Sequence, residues 1–355
     1  MSEDKTKDTA ATEKAPAPKA PVVKKPAPTD PTIEGLVVSS SPHLQSTENI
    51  PKIMHTVVMA LVPAMVASIF FFGYRAALLL LTCVVSCLIT ELIFQKVRKQ
   101  PITVYDGSAI ITGVLLALTL PSSFPLYAAI LGSAFAIGIG KQIFGGLGFN
   151  IFNPALLGRA FLQATYPVMI TTWVEPSTVE KAVDAVSTAT PLALMKFESI
   201  FTSSGTMFFG GVAGSMGETS AVAIIIGGLY LRYKGYINWK LPLGFLGSIA
   251  FFGAIFWLYD SARFPSPFFH ITAGGAMLAA WFMVTDMVTC PLTAKGQWIF
   301  VIVAGFIVII IRLFGGLPEG VMYAVLLMNS IVPLLNRWTR PRIFGEPRKT
   351  KETPS

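Results

Sequence analysis

The stretch DAVSTATPLA, residues 184–193, sets three hydroxyl side chains, Ser187, Thr188 and Thr190, ahead of a proline. Two kinds of chemistry are open to such a group. Thr190 can cap a helix that starts at Pro191 and continues through PLALMKFESIF. A threonine oxygen accepts from the free amides of a first turn, and proline's fixed φ suits the first helical position. The same free amides and the positive end of the helix dipole also make a phosphate site. A phosphate esterified to the Thr190 hydroxyl would be held there. A second candidate is Arg159, which shares a helical face with Gln163 and Tyr166 in an otherwise apolar segment, beside Asn150 and Asn153. A cation inside a membrane span costs about 2.5–3.5 kcal/mol on insertion scales. Something must offset that cost: an anion, a ring carbonyl, or a buried acid such as Asp106 or Glu91. Glu91, Asp106, Glu218 and Asp286 lie near the ends of apolar segments, where an interfacial role is the simpler reading. Cys83 and Cys87 stand at i and i+4, and Cys290 precedes Pro291. Three cysteines make neither a disulfide framework nor, alone, a four-thiolate iron–sulfur centre; a cluster shared with a neighbouring subunit stays open beside the simpler reading, small packing residues. No catalytic residue and no metal ligand is assigned.

The elements that must position these residues are membrane helices. Of 355 residues, 53% are hydrophobic and 13% charged, about half the charge of an average soluble domain, and mean hydropathy is +0.63. The apolar residues fall in runs near the ~20 residues that cross a bilayer. Ten spans are predicted, near 53–72, 74–95, 104–120, 125–143, 153–170, 218–232, 240–259, 267–287, 297–314 and 318–336, the fifth and tenth interrupted by polar residues. With the N-terminus inside, cytoplasmic segments collect seven basic residues up to Lys52 and six more from Arg337 onward. They also collect Lys96, Arg98, Lys99, Lys141, Arg232, Lys234, Lys240 and Lys295. The opposite side receives only Arg75, Lys181, Lys196, Arg263 and Arg312. The positive-inside rule then puts both termini in the cytoplasm and the Thr190 loop outside.

Five regions follow. Residues 1–41, rich in Lys, Ala and Pro, are a disordered cytoplasmic tail. A first membrane unit covers 42–170, an extracytoplasmic loop 171–217, a second membrane unit 218–338 and a basic cytoplasmic tail 339–355. IFGGLGFNIFNPALLGRAF at 143–161 resembles LFGGLPEGVMYAVLLMNSI at 313–331, with FGGL shared at a separation of 170 residues. DGSAIITGVLLALTLP at 106–121 more faintly echoes TAGGAMLAAWFMVTDM at 272–287. The fold class is therefore all-α polytopic, with ten transmembrane helices in two inverted five-helix repeats, an architecture that forms sites at the repeat interface. The glycines of FGGLG and FGGLP pack helices closely or break them beside a cavity.

DAVSTAT at 184–190 resembles the flavinylation motif of Asp, Ser, a small pair and an acceptor Thr, with Thr188 where many members have glycine. Together with KQIFGGLGFNIFNPALLGRAF and YDGSAIITGVLLALTLP, it makes residues 42–345 similar to the D subunits of Rnf ion-translocating oxidoreductases. The B subunits of sodium-pumping NADH:quinone reductases share the design. The resemblance implies covalent FMN on Thr190, with Asp184 and Ser187 as motif positions read by a flavin transferase. It also implies a second, non-covalent flavin or riboflavin. The partners implied are A, B, C, E and G type subunits in a prokaryotic cell (inner) membrane. Ferredoxin oxidation there is coupled to Na+ or H+ movement, commonly with NAD+ as acceptor. Arg159 is a further candidate contact for a flavin. No nucleotide fingerprint and no nucleic-acid surface is found, so electrons would enter and leave through partner subunits. The alternatives are the B-type subunit and a non-redox inverted-repeat solute transporter.

Overall fold

The computed structural model describes residues 48–176, 187–218, 220–261 and 263–341. The expected tail at 1–41, Asp184 and nearly all of the C-terminal tail lie outside the described residues.

Helices occupy each of the ten predicted intervals. In chain order they begin with α1 (Ile50–Phe72), α2 (Tyr74–Val97), α3 (Ser108–Leu118), α4 (Leu126–Ile137), α5 (Pro154–Thr165) and α6 (Pro167–Thr171). The loop region holds α7 (Pro191–Ala193) and α8 (Ser204–Phe209). There follow α9 (Ala221–Tyr233), α10 (Lys240–Tyr259), α11 (Pro267–Thr272), α12 (Ala276–Leu278), α13 (Ala294–Phe314) and α14 (Val321–Trp338). The chain is a multi-pass membrane protein: α1, α2, α10, α13 and α14 are each long and apolar enough to cross a bilayer.

Local sequence explains where the helices stop. The fifth interval is interrupted as expected, because Pro167 cannot donate back into α5 and starts α6 instead. The eighth interval, read as continuous, is broken. Its chain leaves α11 at Ala273 and passes through Gly274 at φ +67° before α12 begins. Glycine alone takes that backbone without strain. The FGGL pair behaves unequally. Gly145, Gly146 and Gly148 all have positive φ, whereas Gly315 and Gly316 do not. Gly315 is instead held by close approach, since a Cβ there would lie 2.6 Å from the Ile311 carbonyl oxygen.

Small residues set the helix pairing. α1 packs on α9 at Gly227, where a Cβ would meet the Ala60 carbonyl oxygen at 2.0 Å. In the first half α2 lies against α3 and α4, and α4 against α5; in the second, α10 lies against α11 and α13, and α13 against α14. α5 and α14 join the halves. One buried core of Leu, Ile, Ala, Met and Phe runs through both. A short antiparallel ladder, β1 (Trp173–Val174) with β2 (Ser187–Thr188), pairs Trp173 with Thr188. It fastens the stretch preceding Thr190 to the exit from α6.

Candidate functional site

Thr190 stands where the sequence put it, at the N-cap of α7. Its backbone is extended (φ −68°, ψ 157°) and its Oγ1 accepts from the Ala193 amide at 3.2 Å. The helix is shorter than the eleven apolar-patterned residues suggested. After three residues it loosens into a π-helical turn, Leu194–Glu198, and ends at Ser199 with φ +56°. Two anchors fix it. Leu192 presses on the break after α11, so closely that a Cβ on Gly274 would lie 2.7 Å from its Cδ1. Lys196 donates to the carbonyls of Ile311, Arg312 and Leu317 at 3.2, 3.2 and 2.9 Å, capping the C-terminal end of α13. Burial pulls the Lys196 ammonium below the usual lysine value.

Thr190 and Arg159, 31 residues apart in the chain, line one narrow cleft. Its walls include Gln163, Trp173, Glu218 and Glu319. Arg159 is 4% exposed. Its partner is not Asp106 or Glu91, as the sequence suggested, but Glu319, which lies 160 positions away at the start of the last span and forms an ion pair with Nη2. Nη1 donates to the Thr119 carbonyl at 2.5 Å. Glu319 also accepts from the Gly275 amide at 3.2 Å, which ties it to the broken eighth interval. Arg312, fully buried, donates to the carbonyls of His270 (2.5 Å) and Ala273 (2.8 Å) and so satisfies the last turn of α11. Arg159, Glu218 and Glu319 thus line the Thr190 cleft, and Arg312 approaches the Gly274 break that Glu319 also reaches. Tyr166, the third member of the predicted face, ends α5 and meets Tyr127 edge-on at 6.2 Å.

The expected acids divide. Glu218 joins the Thr190 cleft. Glu91 is 1% exposed and bonds Lys141 at 2.6 Å and Gln142 at 2.8 Å. Both partners sit on a π-helical turn, Gly138–Gln142, that continues α4. Lys141 also reaches Ser108 Oγ at 2.5 Å. Asp106 accepts from the Ser108 amide at 2.8 Å and caps the start of α3. Ser108 begins α3 and Thr119 caps it, so the Glu91–Lys141 pair and the Arg159–Glu319 pair lie about 17 Å apart along that helix at 1.5 Å per residue. Next to Lys141 opens a larger, mostly apolar chamber. Ser108, Asn150, Asn153, Trp281 and Asp286 help to line it. Glu319 and the Lys141–Glu91 pair escaped the sequence reading. In the sequence Lys141 reads only as a cytoplasmic charge, and no pattern there singles out Glu319.

A family model described as the NQR2, RnfD, RnfE family matches residues 37–345. The D subunit of the Na(+)-translocating ferredoxin:NAD(+) oxidoreductase complex of Acetobacterium woodii is 47% identical over 322 residues, covering 89% of this chain and 98% of the relative. The D subunit of the proton-translocating ferredoxin:NAD(+) oxidoreductase complex of Clostridium ljungdahlii is 45% identical over 324 residues, covering 88% and 96%. The D subunit of the ion-translocating oxidoreductase complex of Escherichia coli (strain SE11) is 35% identical over 346 residues, covering 87% and 98%.

Proposed function

The chain belongs to the NQR2, RnfD, RnfE family, and on that premise we propose that it works as a membrane subunit of an ion-translocating, ferredoxin-linked oxidoreductase complex of the Rnf type. Its part is to hold an electron carrier while an ion crosses. It performs no chemistry alone, and its partners are A, B, C, E and G type subunits. The ion is Na+ or H+, as it is for the two relatives near 45% identity.

The carrier is FMN, esterified to the Thr190 hydroxyl. The residues present fit it. Thr190 lines a cleft that also holds a cation, Arg159, an amide, Gln163, and an aromatic side chain, Trp173. Arg159 lines the same cleft as Thr190, so a phosphodiester charge there would have a cation beside it. When bound, the flavin supplies one-electron acceptor and donor chemistry. The protein holds its position: Leu192 and Lys196 dock the Thr190 helix, and Arg159 is fixed from two sides by Glu319 and Thr119. The observation that carries this reading is the shared cleft of Thr190 and Arg159. Asp184 and Ser187 belong to the motif read by a flavin transferase. A second flavin or riboflavin, held non-covalently, takes the chamber beside Lys141, whose polar rim of Lys, Asn and Asp suits a ring with carbonyl and imide edges.

The ten helical intervals cross the membrane as two inverted repeats, with both termini cytoplasmic and the Thr190 loop outside. Two observations support this. The pairings α2–α4 and α4–α5 are matched by α10–α13 and α13–α14. Each echoing segment carries a glycine of positive φ ahead of its helix, Gly107 (φ +83°) and Gly274 (φ +67°). The location is a prokaryotic cell membrane.

The test is in-gel fluorescence after denaturation. The wild-type chain should run as a fluorescent band. Thr190→Ala, or loss of the flavin transferase, should abolish the band. Mass spectrometry finding an unmodified chain in a fully active complex refutes the assignment. A non-redox transporter would give no fluorescence at all.

A further inference from the structure

Thr188 carries a hydroxyl that the fold hides and leaves unused. Its Oγ1 is buried and has no hydrogen-bond partner among the described residues. The short ladder fixes where it stands. Thr188 pairs with Trp173 across β1 and β2, and residues directly opposite in a ladder share a face. Trp173 lines the Thr190 cleft, so the Thr188 side chain stands on the cleft side of the ladder. The alternation continues past β2: Ala189 is exposed, and Thr190, extended and 6% exposed, returns to the buried side. Residues two apart in extended chain share a face, so Thr188 and Thr190 present their oxygens to one side. A bare hydroxyl in the interior forfeits the hydrogen bonds it makes with water in the unfolded chain. Valine has the same shape, suits a strand as well and brings no polar group to bury. A threonine at this position is accounted for by a group that accepts from it. A second donor of the cleft is in the same condition: Nε of Arg159 is buried without an acceptor among the described residues.

We propose that the Thr188 hydroxyl is a phosphate-binding group of the flavin site, donating to a non-bridging oxygen of the phosphodiester that joins FMN to Thr190. This rests on the assignment of FMN to Thr190. The chemistry matches. The non-bridging oxygens of a phosphodiester share its negative charge and only accept, and a threonine hydroxyl has a proton to give. Hydrogen bonds to charged oxygens are stronger than those between neutral groups. Esterification removes the hydroxyl proton of Thr190, so Thr190 cannot fill this role for itself. The contact acts after attachment, and Thr188 makes and breaks no covalent bond. The flavinylation motif takes glycine at this position in many members, so attachment needs no side chain there. What the hydroxyl adds is a second fixed point on the phosphate, which restrains the ester torsions that would otherwise let the flavin ring swing about its link to Thr190.

The experiment uses the purified complex in lipid and solid-state phosphorus NMR. The resonance of the Thr190 phosphodiester is the one absent from Thr190→Ala. In the wild type, a phosphorus–proton correlation across the hydrogen bond should connect that resonance to a hydroxyl proton, and carbon-13 threonine should place the proton on a threonine side chain. This readout needs no variant at position 188, so misfolding of one leaves the test intact. Thr188→Val should erase the correlation and shift the phosphorus resonance, and Thr188→Ser should restore both. Mass spectrometry of the Thr190 peptide should show flavin attached in both variants as in the wild type. A wild-type resonance coupled to no threonine proton, or a resonance that Thr188→Val leaves in place, overturns this inference while the flavin assignment stands. An unmodified Thr190 in a fully active complex overturns the assignment on which it rests.

Discussion

Arg159→Leu separates the ion pair from its surroundings most cleanly. The substitution keeps the apolar stem of α5 but leaves Glu319 without its guanidinium partner and the Thr119 carbonyl without its 2.5 Å donor. Breaking a buried pair by removing one member costs about 3–5 kcal/mol when the survivor is fully buried. The Glu319 side chain keeps 20% exposure and retains the Gly275 amide at 3.2 Å, which argues for the low end of that range. The orphaned Thr119 carbonyl adds about 1 kcal/mol. The expected loss is therefore about 4 kcal/mol. Adding Glu319→Gln removes the stranded charge, and the double variant should recover about 2 kcal/mol of it. The assay is a double-mutant cycle on unfolding of the protein in mixed micelles, with flavin content and electron-transfer rate in vesicles read beside it. Flavin should remain on Thr190 while electron transfer falls. If the two changes add within about 0.5 kcal/mol, the pair is not energetically coupled. If Arg159→Leu also pumps at the wild-type rate with all its flavin, Arg159 has no role in the site.

Thr188→Gly should leave flavin labelling of Thr190 intact, read by in-gel fluorescence, because Thr188 contributes a two-residue strand rather than the acceptor. A cysteine at Ser204 should react with an impermeant thiol reagent in whole cells and one at Ser355 should not; the reverse pattern overturns the proposed orientation. Gly227→Ala should destabilise the protein by about 1–3 kcal/mol, since its Cβ would meet backbone of α1 at 2.0 Å, whereas Gly247→Ala, with nothing within 4 Å, should cost nothing measurable in the same unfolding assay. Glu91→Gln should cost about 3 kcal/mol by stranding Lys141, with partial recovery in Glu91→Gln/Lys141→Gln.

Whatever depends on neighbours along the chain was legible in the residues alone. Apolar runs placed helix in all ten intervals, because a segment in a bilayer must satisfy its own backbone. The Thr-Pro pair placed the cap at Thr190, because capping involves only the next three residues. Pro167 ended α5 for the same local reason. Which distant groups meet was settled by packing. Arg159 finds Glu319 rather than Asp106 or Glu91, because α5 and α14 cross between the halves while α3 holds Asp106 on the serine at its own start. Glu91 finds Lys141 because a π-helical turn rotates that lysine inward, a twist no hydropathy pattern records. The break at Gly274 was equally silent, since a glycine in an apolar run can pack a helix or end it. What ends it here is the crowding of Leu192 and Arg312 against that glycine, and both arrive from elsewhere in the fold.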